Sequence, residues 1–328
     1  MTLAFRCSVA AAARDEPIFA TASRVHRWLL VEQESPWGTS PLPESHLGPE
    51  LTAGLQAQAA ALGARPLLVR RPSTGVAGNA PARRVWLVDS RPGTEGVLTR
   101  LVADVAELAD LPVAGGWTRS DEPLFLVCAH GKHDTCCAVE GRPLAQALVR
   151  VAAEQTWECS HIGGDRFAPN LLVLPHGLYY GRVPVEAAEE LVTASRAGRV
   201  LEPWLRGRAG FTPEAQAAQH HARERLGLLG VGDLLPLRQQ ATGPDTTRVV
   251  LAGRAVGAVA GGSEEANEAM REAGDAGDEV VGDVVVVVRR VVSRAAYTLT
   301  CHAAEPRPVP TFQLLDLQRI PAAEPGSG

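Results

Sequence analysis

The middle of the chain holds the stretch that decides its fold, residues 124–183, which reads LFLVCAHGKHDTCCAVEGRPLAQALVRVAAEQTWECSHIGGDRFAPNLLVLPHGLYYGRV. The apolar run at 124–128 predicts a buried strand, and 143–153 predicts a helix with proline in its first turn. A further strand is predicted at 156–162. Two apolar runs around the turn at 175–177 then predict a hairpin, followed by another helix. The predicted order is β-α-β followed by β-β-α.

The flanking regions also mix strand and helix patterns. Before the middle unit, apolar runs and helical spacing predict strands at 28–31, 66–69 and 85–88 and helices at 50–63 and 94–108. After it, the triplet Thr212-Pro213-Glu214 predicts the start of a helix that runs to residue 226, and strands follow at 248–252 and within 280–300. Residues 261–282 are acidic and glycine-rich, which predicts a mobile loop.

The order of elements defines the expected fold class. The middle order is the thioredoxin-like order, and the first region is predicted to be a degenerate form of it. We therefore expect an α/β protein with two thioredoxin-like α/β units in tandem and a smaller C-terminal α+β extension. The predicted domains are 1–118, 119–202 with the candidate site, and 203–328 with the acidic loop.

Charge and hydropathy argue against two classes of partner. The 328 residues carry 32 basic and 37 acidic side chains, a net charge of −5, so the chain has no basic field for nucleic acid or an anionic membrane. The longest apolar runs, such as Val284 to Val288, are too short to span a bilayer, and the N-terminus lacks a signal-peptide pattern. The sequence predicts a cytoplasmic protein with no nucleic-acid or membrane partner.

Metal-ligating residues concentrate in the middle unit. Four of the six cysteines lie there, and Cys128 and Cys137 form a C-x8-C pattern between a strand and a helix. His161 and Asp165 form an H-x3-D pattern after the next strand, so both pairs are expected at one end of the sheet. Thiolate, imidazole and carboxylate are all metal ligands, and the two glycines between His161 and Asp165 let the backbone approach an inorganic core. These four residues predict a metal pocket.

The motifs between Val127 and Arg182 resemble those of a known family. The patterns C-x8-C, W-E-x-S-H-x-G-G-D-R-F-A-P-N and Y-Y-G-R-V, with R-W-L-L-V-E-Q-E-S-P-W-G near the N-terminus, resemble the sucrase/ferredoxin-like family over at least residues 1–230. The resemblance implies a thioredoxin-like ferredoxin domain with a [2Fe–2S] cluster. The implied function is that of an electron carrier, which works with a redox partner protein rather than transforming a substrate.

The resemblance also implies cluster ligands. In fungal members the cluster is held by two cysteines and by two histidines of an H-x-G-G-H motif, which match Cys128, Cys137 and His161 here, while Asp165 replaces the second histidine. Asp165 is then the fourth ligand, or another residue is, or the site has lost its cluster. Cys159 is the competing fourth ligand, because on a strand it shares a face with His161.

Two other functions use the same region. A structural Zn²⁺ could be held by the same four residues as the cluster. A thiol oxidoreductase could use Cys136 or Cys137, but the sequence has no C-x-x-C motif, and adjacent cysteines form a strained disulfide. Cys136 is instead expected to be a packed thiol. Cys7 and Cys301 stand alone in the sequence.

Several histidines are expected to be solvent-exposed. His130, Lys132 and His133 lie in the loop between the two motif cysteines, which favours a solvated surface loop. The alternative is that they shield the cluster sulfides or donate hydrogen bonds that tune the potential. His220 and His221 lie on the predicted C-terminal helix, where neighbouring side chains point in different directions, so they are expected on an exposed face.

Overall fold

The structure is a computed structural model that describes residues 5–34, 36–72, 82–112, 115–253 and 282–320. The predicted acidic loop at 261–282, apart from Gly282, and the tail past Ile320 lie outside the described residues. Among the helices of the described ranges, none combines the length and apolarity needed to cross a bilayer.

The described residues form the following elements. The α-helices are α1 (Cys7–Ala12), α2 (Pro49–Ala61), α3 (Thr135–Ala152), α4 (Ala188–Arg196) and α5 (Pro213–Leu226). The first strands are β1 (Arg27–Glu32), β2 (Ala64–Arg70), β3 (Arg83–Asp89), β4 (Gly96–Val102), β5 (Thr118–Ser120), β6 (Leu124–Cys128) and β7 (Thr156–Cys159). The remaining strands are β8 (Asn170–Leu174), β9 (Leu178–Gly181), β10 (Leu205–Arg208), β11 (Leu235–Ala241), β12 (Thr246–Ala252), β13 (Val284–Tyr297) and β14 (Arg307–Arg319).

Within the described residues, ten strands form one sheet in the order β10-β9-β8-β6-β7-β2-β1-β3-β4-β5. In one half, β6 and β7 are parallel and joined by α3, β8 pairs antiparallel with β6, and β9 pairs with β8. In the other half, β1 and β2 are parallel and joined by α2, β3 pairs antiparallel with β1, and β4 pairs with β3. The two halves therefore repeat the same strand order, as the thioredoxin-like tandem predicts.

The two halves meet along one antiparallel strand pair. Strands β2 and β7 pair Val69 with Cys159 and Arg70 with Glu158, and the Arg70–Glu158 ion pair at 2.8 Å crosses the junction. On its other side, Cys159 pairs with Cys128 of β6. The sheet is thus continuous across the predicted boundary at 118/119, and the division into domains stays a prediction.

The C-terminal extension is a separate antiparallel sheet covered by a helix. Strands β11 to β14 form this sheet in sequence order, and α5 shares an apolar core with it that includes Ala218, Val249 and Val286. Thr212 accepts a hydrogen bond from the backbone N–H of Ala215 at 3.1 Å and so caps α5 where the sequence predicts. The expected fold class, an α/β tandem with a smaller α+β extension, is confirmed.

Two sequence-based predictions of helices were wrong. The predicted helix at 94–108 is strand β4 followed by a 3₁₀ turn at Val105–Ala109, because every residue of β4 pairs with β3 and this long-range pairing overrides the local spacing. The helix predicted to begin at Pro143 begins at Thr135, because Asp134 caps it by accepting a hydrogen bond from the backbone N–H of Cys136. Pro143 lies inside the helix.

Helix α3 packs very closely on the end of β6. A β-carbon added to Gly141 would lie 2.2 Å from the carbonyl oxygen of Cys128, so only glycine allows this approach. Gly141 lies four residues after Cys137 and therefore shares its face of the helix. The contact consequently sets how close the thiol of Cys137 lies to that of Cys128.

Gly141→Ala tests this contact. The added methyl group must push α3 away from β6, so we expect the free energy of unfolding to fall by roughly 1–3 kcal/mol, as overpacking of a core does. Urea unfolding of the two proteins in the same metal state measures the difference.

Gly54→Ala in α2 is the matched control. Its β-carbon would meet the nearest atoms of Ala109 at 3.5 Å, an ordinary contact. The higher helix propensity of alanine should therefore stabilise the protein by up to about 1 kcal/mol. Equal stabilities of the two variants would contradict the close approach of α3 to β6.

Candidate metal centre

Two buried thiols come together where β6 ends and α3 begins. Cys128 is the last residue of β6, Cys137 lies in the first turn of α3, and each is 1% exposed. The ligand atoms of Cys128, Cys137 and His161 all lie within 4.8 Å of one another. The early start of α3 is what places Cys137 in this group.

The H-x3-D loop brings an imidazole and a carboxylate to the same place. Gly163 and Gly164 have φ values of 95° and 83°, which side-chain-bearing residues rarely adopt, and Asp165 then begins a 3₁₀ turn. The Oδ1 atom of Asp165 accepts a hydrogen bond from Sγ of Cys137 at 3.1 Å and lies 3.0 Å from Nδ1 of His161. The donor atoms of Cys128, Cys137 and His161 thus form one group, and Asp165 contacts Cys137 and His161 from a second group, which it shares with His133 and His161.

A buried arginine that the sequence did not single out holds this loop. Arg206 is 2% exposed, and its Nη1 donates hydrogen bonds to the carbonyl of Gly163 at 2.9 Å and to Oδ1 of Asn170 at 2.8 Å. Its Nη2 donates to the carbonyl of Thr21 at 2.6 Å. Burial lowers the pKa of Arg206 to about 10. A β-carbon on Gly164 would collide with the Arg206 guanidinium, so the glycine and the arginine depend on each other.

The four side chains shift one another's pKa. The close contact with Cys137 holds the pKa of the Cys128 thiol well below its usual value, and the same contact raises the pKa of Cys137. Burial disfavours a charged His161, but its contacts with Asp165 and Cys128 outweigh burial and raise its pKa to about 9. Burial likewise opposes ionisation of Asp165, but the contact with His161 outweighs it and lowers the pKa. The pocket therefore stabilises a thiolate and a carboxylate, both of which are metal-ligand forms.

The donor set fits a metal group. Nδ1 of His161 is buried and lies 3.0 Å from Oδ1 of Asp165. A buried ring nitrogen between two thiols and a carboxylate is chemically suited to ligation. Cys159 is fully buried, but within the described ranges it belongs to none of the groups of convergent donor atoms.

A cavity of about 530 Å³ opens on the outer side of the site. His133, His161 and Asp165 line one wall, and residues of the connection between β13 and β14, among them Thr300 and Glu305, line the other. The imidazole of His161 is 22% exposed, whereas the two thiols are closed off. The site thus has a cysteine end inside the protein and a histidine end at the cavity. Its C-terminal wall was not predicted, because no local sequence pattern links residues so far apart.

The loop between the two motif cysteines is only partly solvated. Lys132 is exposed as predicted, but His130 is 2% exposed, and its Nε2 donates to the carbonyl of Gly38 at 2.8 Å, so the prediction of exposure was wrong for His130. His133 stacks on His161 with ring centroids 3.8 Å apart. This stacking places a second imidazole beside that of His161.

The histidine pair on α5 was also predicted wrongly. The side chains of His220 and His221 are 18% and 14% exposed, because Phe19 stacks on His220 with ring centroids 4.0 Å apart. Nδ1 of His220 lies 2.6 Å from Oε1 of Glu202. The helix is covered on this face by the N-terminal segment, a contact that helical spacing cannot reveal.

The sequence profile of the sucrase/ferredoxin-like family matches residues 18–207, which is more than half of the chain. The protein therefore belongs to the sucrase/ferredoxin-like family. This match confirms the resemblance drawn from the motifs, and it includes all four candidate ligands.

Two relatives match shorter parts of the chain. The "altered inheritance of mitochondria protein 32" of Meyerozyma guilliermondii is 29% identical over 97 residues, which are 26% of this chain and 34% of that protein. The chain thus spans about a third of the length of this curated relative. The structure of a thioredoxin-like [2Fe–2S] ferredoxin from Aquifex aeolicus is 20% identical, with a TM-score of 0.25, and the match covers 29% of this chain and 97% of the ferredoxin.

The metal-free protein should show an unusually basic His161. Its pKa in the folded state, about 9, lies above the value of about 6.5 expected for the unfolded chain. Its contribution to stability is therefore fully present below about pH 6.5 and is lost as the pH rises through 9. Asp165→Asn should lower this pKa, because a neutral amide does not stabilise the imidazolium. NMR titration of the histidine ring carbons measures the shift.

His130 serves as the internal control in the same spectra. Burial lowers its pKa, so it should titrate below its usual range in both proteins. A His161 that titrates at or below the value of a free histidine would contradict the charge arrangement described above.

Proposed function

We propose that the protein is an electron carrier whose middle unit holds a [2Fe–2S] cluster. Cys128 and Cys137 would hold the inner iron, and His161 and Asp165 the iron that faces the cavity. One observation carries the proposal: the two buried thiols of the C-x8-C motif converge with His161, and Asp165 contacts both Cys137 and His161. Membership of the sucrase/ferredoxin-like family supports it.

The burial of the site suits electron transfer. The cysteines are closed off from solvent, which protects the cluster sulfides, whereas the half-buried His161 reaches the cavity. An electron would therefore pass to or from a redox partner protein on the histidine side. The cluster supplies the redox chemistry. The protein residues position it, exclude water and tune its potential through hydrogen bonds and charge. The identity of the partner and the cytoplasmic location stay predictions.

A structural zinc site is the second candidate function. It is favoured by the close spacing of the donors, because Cys128, Cys137 and His161 all lie within 4.8 Å of one another, as ligands of a single tetrahedral ion do. Asp165 would be the fourth ligand. A thiol oxidoreductase that pairs Cys136 with Cys137 is less well supported, because these two side chains belong to different groups of donors.

The metal and sulfide content of the purified protein distinguishes the electron carrier from the structural zinc protein. Prepared without oxygen, the protein should be red-brown and contain about two irons and two sulfides per chain, since these amounts define a [2Fe–2S] cluster. Cys128→Ser and Cys137→Ser should remove the colour and the iron. Iron and acid-labile sulfide assays with a visible spectrum provide the measurement.

Cys7→Ser and Cys301→Ser are the matched controls, because they remove thiols outside this group of ligands, and they should keep the iron. A colourless wild-type protein that holds zinc at Cys128 and Cys137, without sulfide, would favour the structural zinc site instead.

Variants of Asp165 test the fourth ligand. A carboxylate adds negative charge that a neutral imidazole lacks, and this favours the ferric state, so Asp165→His should raise the reduction potential while keeping the cluster. Asp165→Ala should change both spectrum and potential. If Asp165→Ala leaves both unchanged and Cys159→Ala destroys the cluster, then Cys159 is the ligand and the assignment of Asp165 is wrong. Redox titration followed by visible absorption measures these effects.

A further inference from the structure

A second group of metal-ligating side chains lies on the other side of α3. It consists of Cys7, Asp134, Cys136 and Cys301, whose ligand atoms all lie within 4.8 Å of one another. Cys7, Asp134 and Cys136 are completely buried, and Cys301 is half-buried. Cys7 and Cys301, which stand alone in the sequence, therefore lie in the same group. Cys136 belongs to this group, whereas its neighbour Cys137 belongs to the group with Cys128 and His161.

Three distances within this group lie within about 0.5 Å of the edges of a tetrahedral zinc site. The Sγ atom of Cys301 lies 3.3 Å from that of Cys136 and 3.7 Å from that of Cys7. With zinc–sulfur bonds of about 2.3 Å, two thiolates on one tetrahedral ion lie about 3.8 Å apart. Oδ2 of Asp134 lies 3.5 Å from Sγ of Cys7. With a zinc–oxygen bond of about 2.0 Å, a thiolate and a carboxylate oxygen on one ion lie about 3.5 Å apart.

The surroundings of the group are also those of a metal site. The carboxylate of Asp134 accepts hydrogen bonds from the backbone N–H groups of Cys136 at 2.8 Å and Cys301 at 2.6 Å, which fix its orientation. Nε of Arg6 donates to Sγ of Cys136 at 3.2 Å and offsets part of the negative charge that thiolates would bring. Burial raises the pKa of Cys136, but its contacts with Ser8 and Arg6 outweigh burial and lower it. Burial raises the pKa of Cys7, which therefore needs a cation to ionise.

A disulfide between Cys136 and Cys301 would explain the positions of fewer of these four residues than a zinc ion does. Joining Cys136 to Cys301 would leave the buried thiol of Cys7 unused beside the carboxylate of Asp134, which would then serve only to cap α3 and to accept the backbone N–H of Cys301. Three thiols and one carboxylate, by contrast, complete the four ligands of a structural zinc ion. Zinc binding would release the remaining thiol protons to solvent and leave a charge of −2 on the ion and its four ligands, next to Arg6.

We propose that Cys7, Asp134, Cys136 and Cys301 bind a structural Zn²⁺. The ion clamps the N-terminal helix α1 and the connection between β13 and β14 to the first turn of α3. That connection lines the outer wall of the cavity beside His161, so the zinc holds in place the wall that covers the candidate cluster. The proposal does not depend on the [2Fe–2S] cluster, because the zinc content and the iron content of the protein are measured separately.

Metal analysis of the purified wild-type protein and of four single variants tests the proposal. The wild-type protein should hold about one zinc per chain. Cys7→Ser and Cys301→Ser should lose the zinc and keep the iron, whereas Cys128→Ser and Cys137→Ser should lose the iron and keep the zinc. Mass spectrometry of the metals and of the intact protein under non-reducing conditions gives both readouts.

Thermal unfolding provides a second readout in case one variant folds poorly. A strong chelator should lower the melting temperature of the wild-type protein, and added Zn²⁺ should restore it, because an ion bound only to the folded state stabilises that state. Cys301→Ser should melt at the same temperature with and without Zn²⁺. The absence of zinc, zinc that is unchanged in Cys7→Ser and Cys301→Ser, or a Cys136–Cys301 disulfide in the wild-type protein as purified would each overturn the proposal.

Discussion

The contact of Gly141 with the carbonyl of Cys128 is the constraint on which the rest of the site depends. It seats α3 on the end of β6 without an intervening side chain, so the first turn of the helix reaches the strand terminus. That turn presents Cys137 to the candidate cluster on one side and Cys136 to the candidate zinc site on the other. A small displacement of this helix would therefore change the ligand spacing at two sites at once.

The buried guanidinium of Arg206 fixes the loop that carries His161 and Asp165. Arg206 is enclosed by carbonyl, amide and hydroxyl oxygens, so its charge is solvated by the protein rather than by water. Because several of these oxygens belong to the H-x3-D loop and its neighbours, loss of the guanidinium would leave them buried without partners. The glycine at position 164 makes room for it. These contacts fix the conformation of the loop and so orient His161 and Asp165.

Local patterns predicted those parts of the molecule in which local forces decide the structure. The buried strand at 124–128 and the capped helix after Thr212 could be predicted because burial and capping are properties of neighbouring residues. The helix expected at 94–108 was wrong because pairing with β3, a long-range interaction, outweighed its helical spacing. The site residues of the C-x8-C and H-x3-D motifs could be found from chemistry and spacing, but Arg206, Cys7 and Cys301 could not, since they reach their sites only through the folded topology.

Pulsed electron paramagnetic resonance of the reduced protein tests the central claim most directly. One histidine ligand on the iron that faces the cavity should give the hyperfine coupling of one strongly coupled nitrogen. This coupling should change from that of ¹⁴N to that of ¹⁵N when the protein is made with ¹⁵N-labelled histidine. It should disappear in a His161→Cys variant that keeps its cluster. A reduced cluster without a coupled histidine nitrogen, or with a coupling that persists in His161→Cys, would contradict the ligand set of Cys128, Cys137, His161 and Asp165.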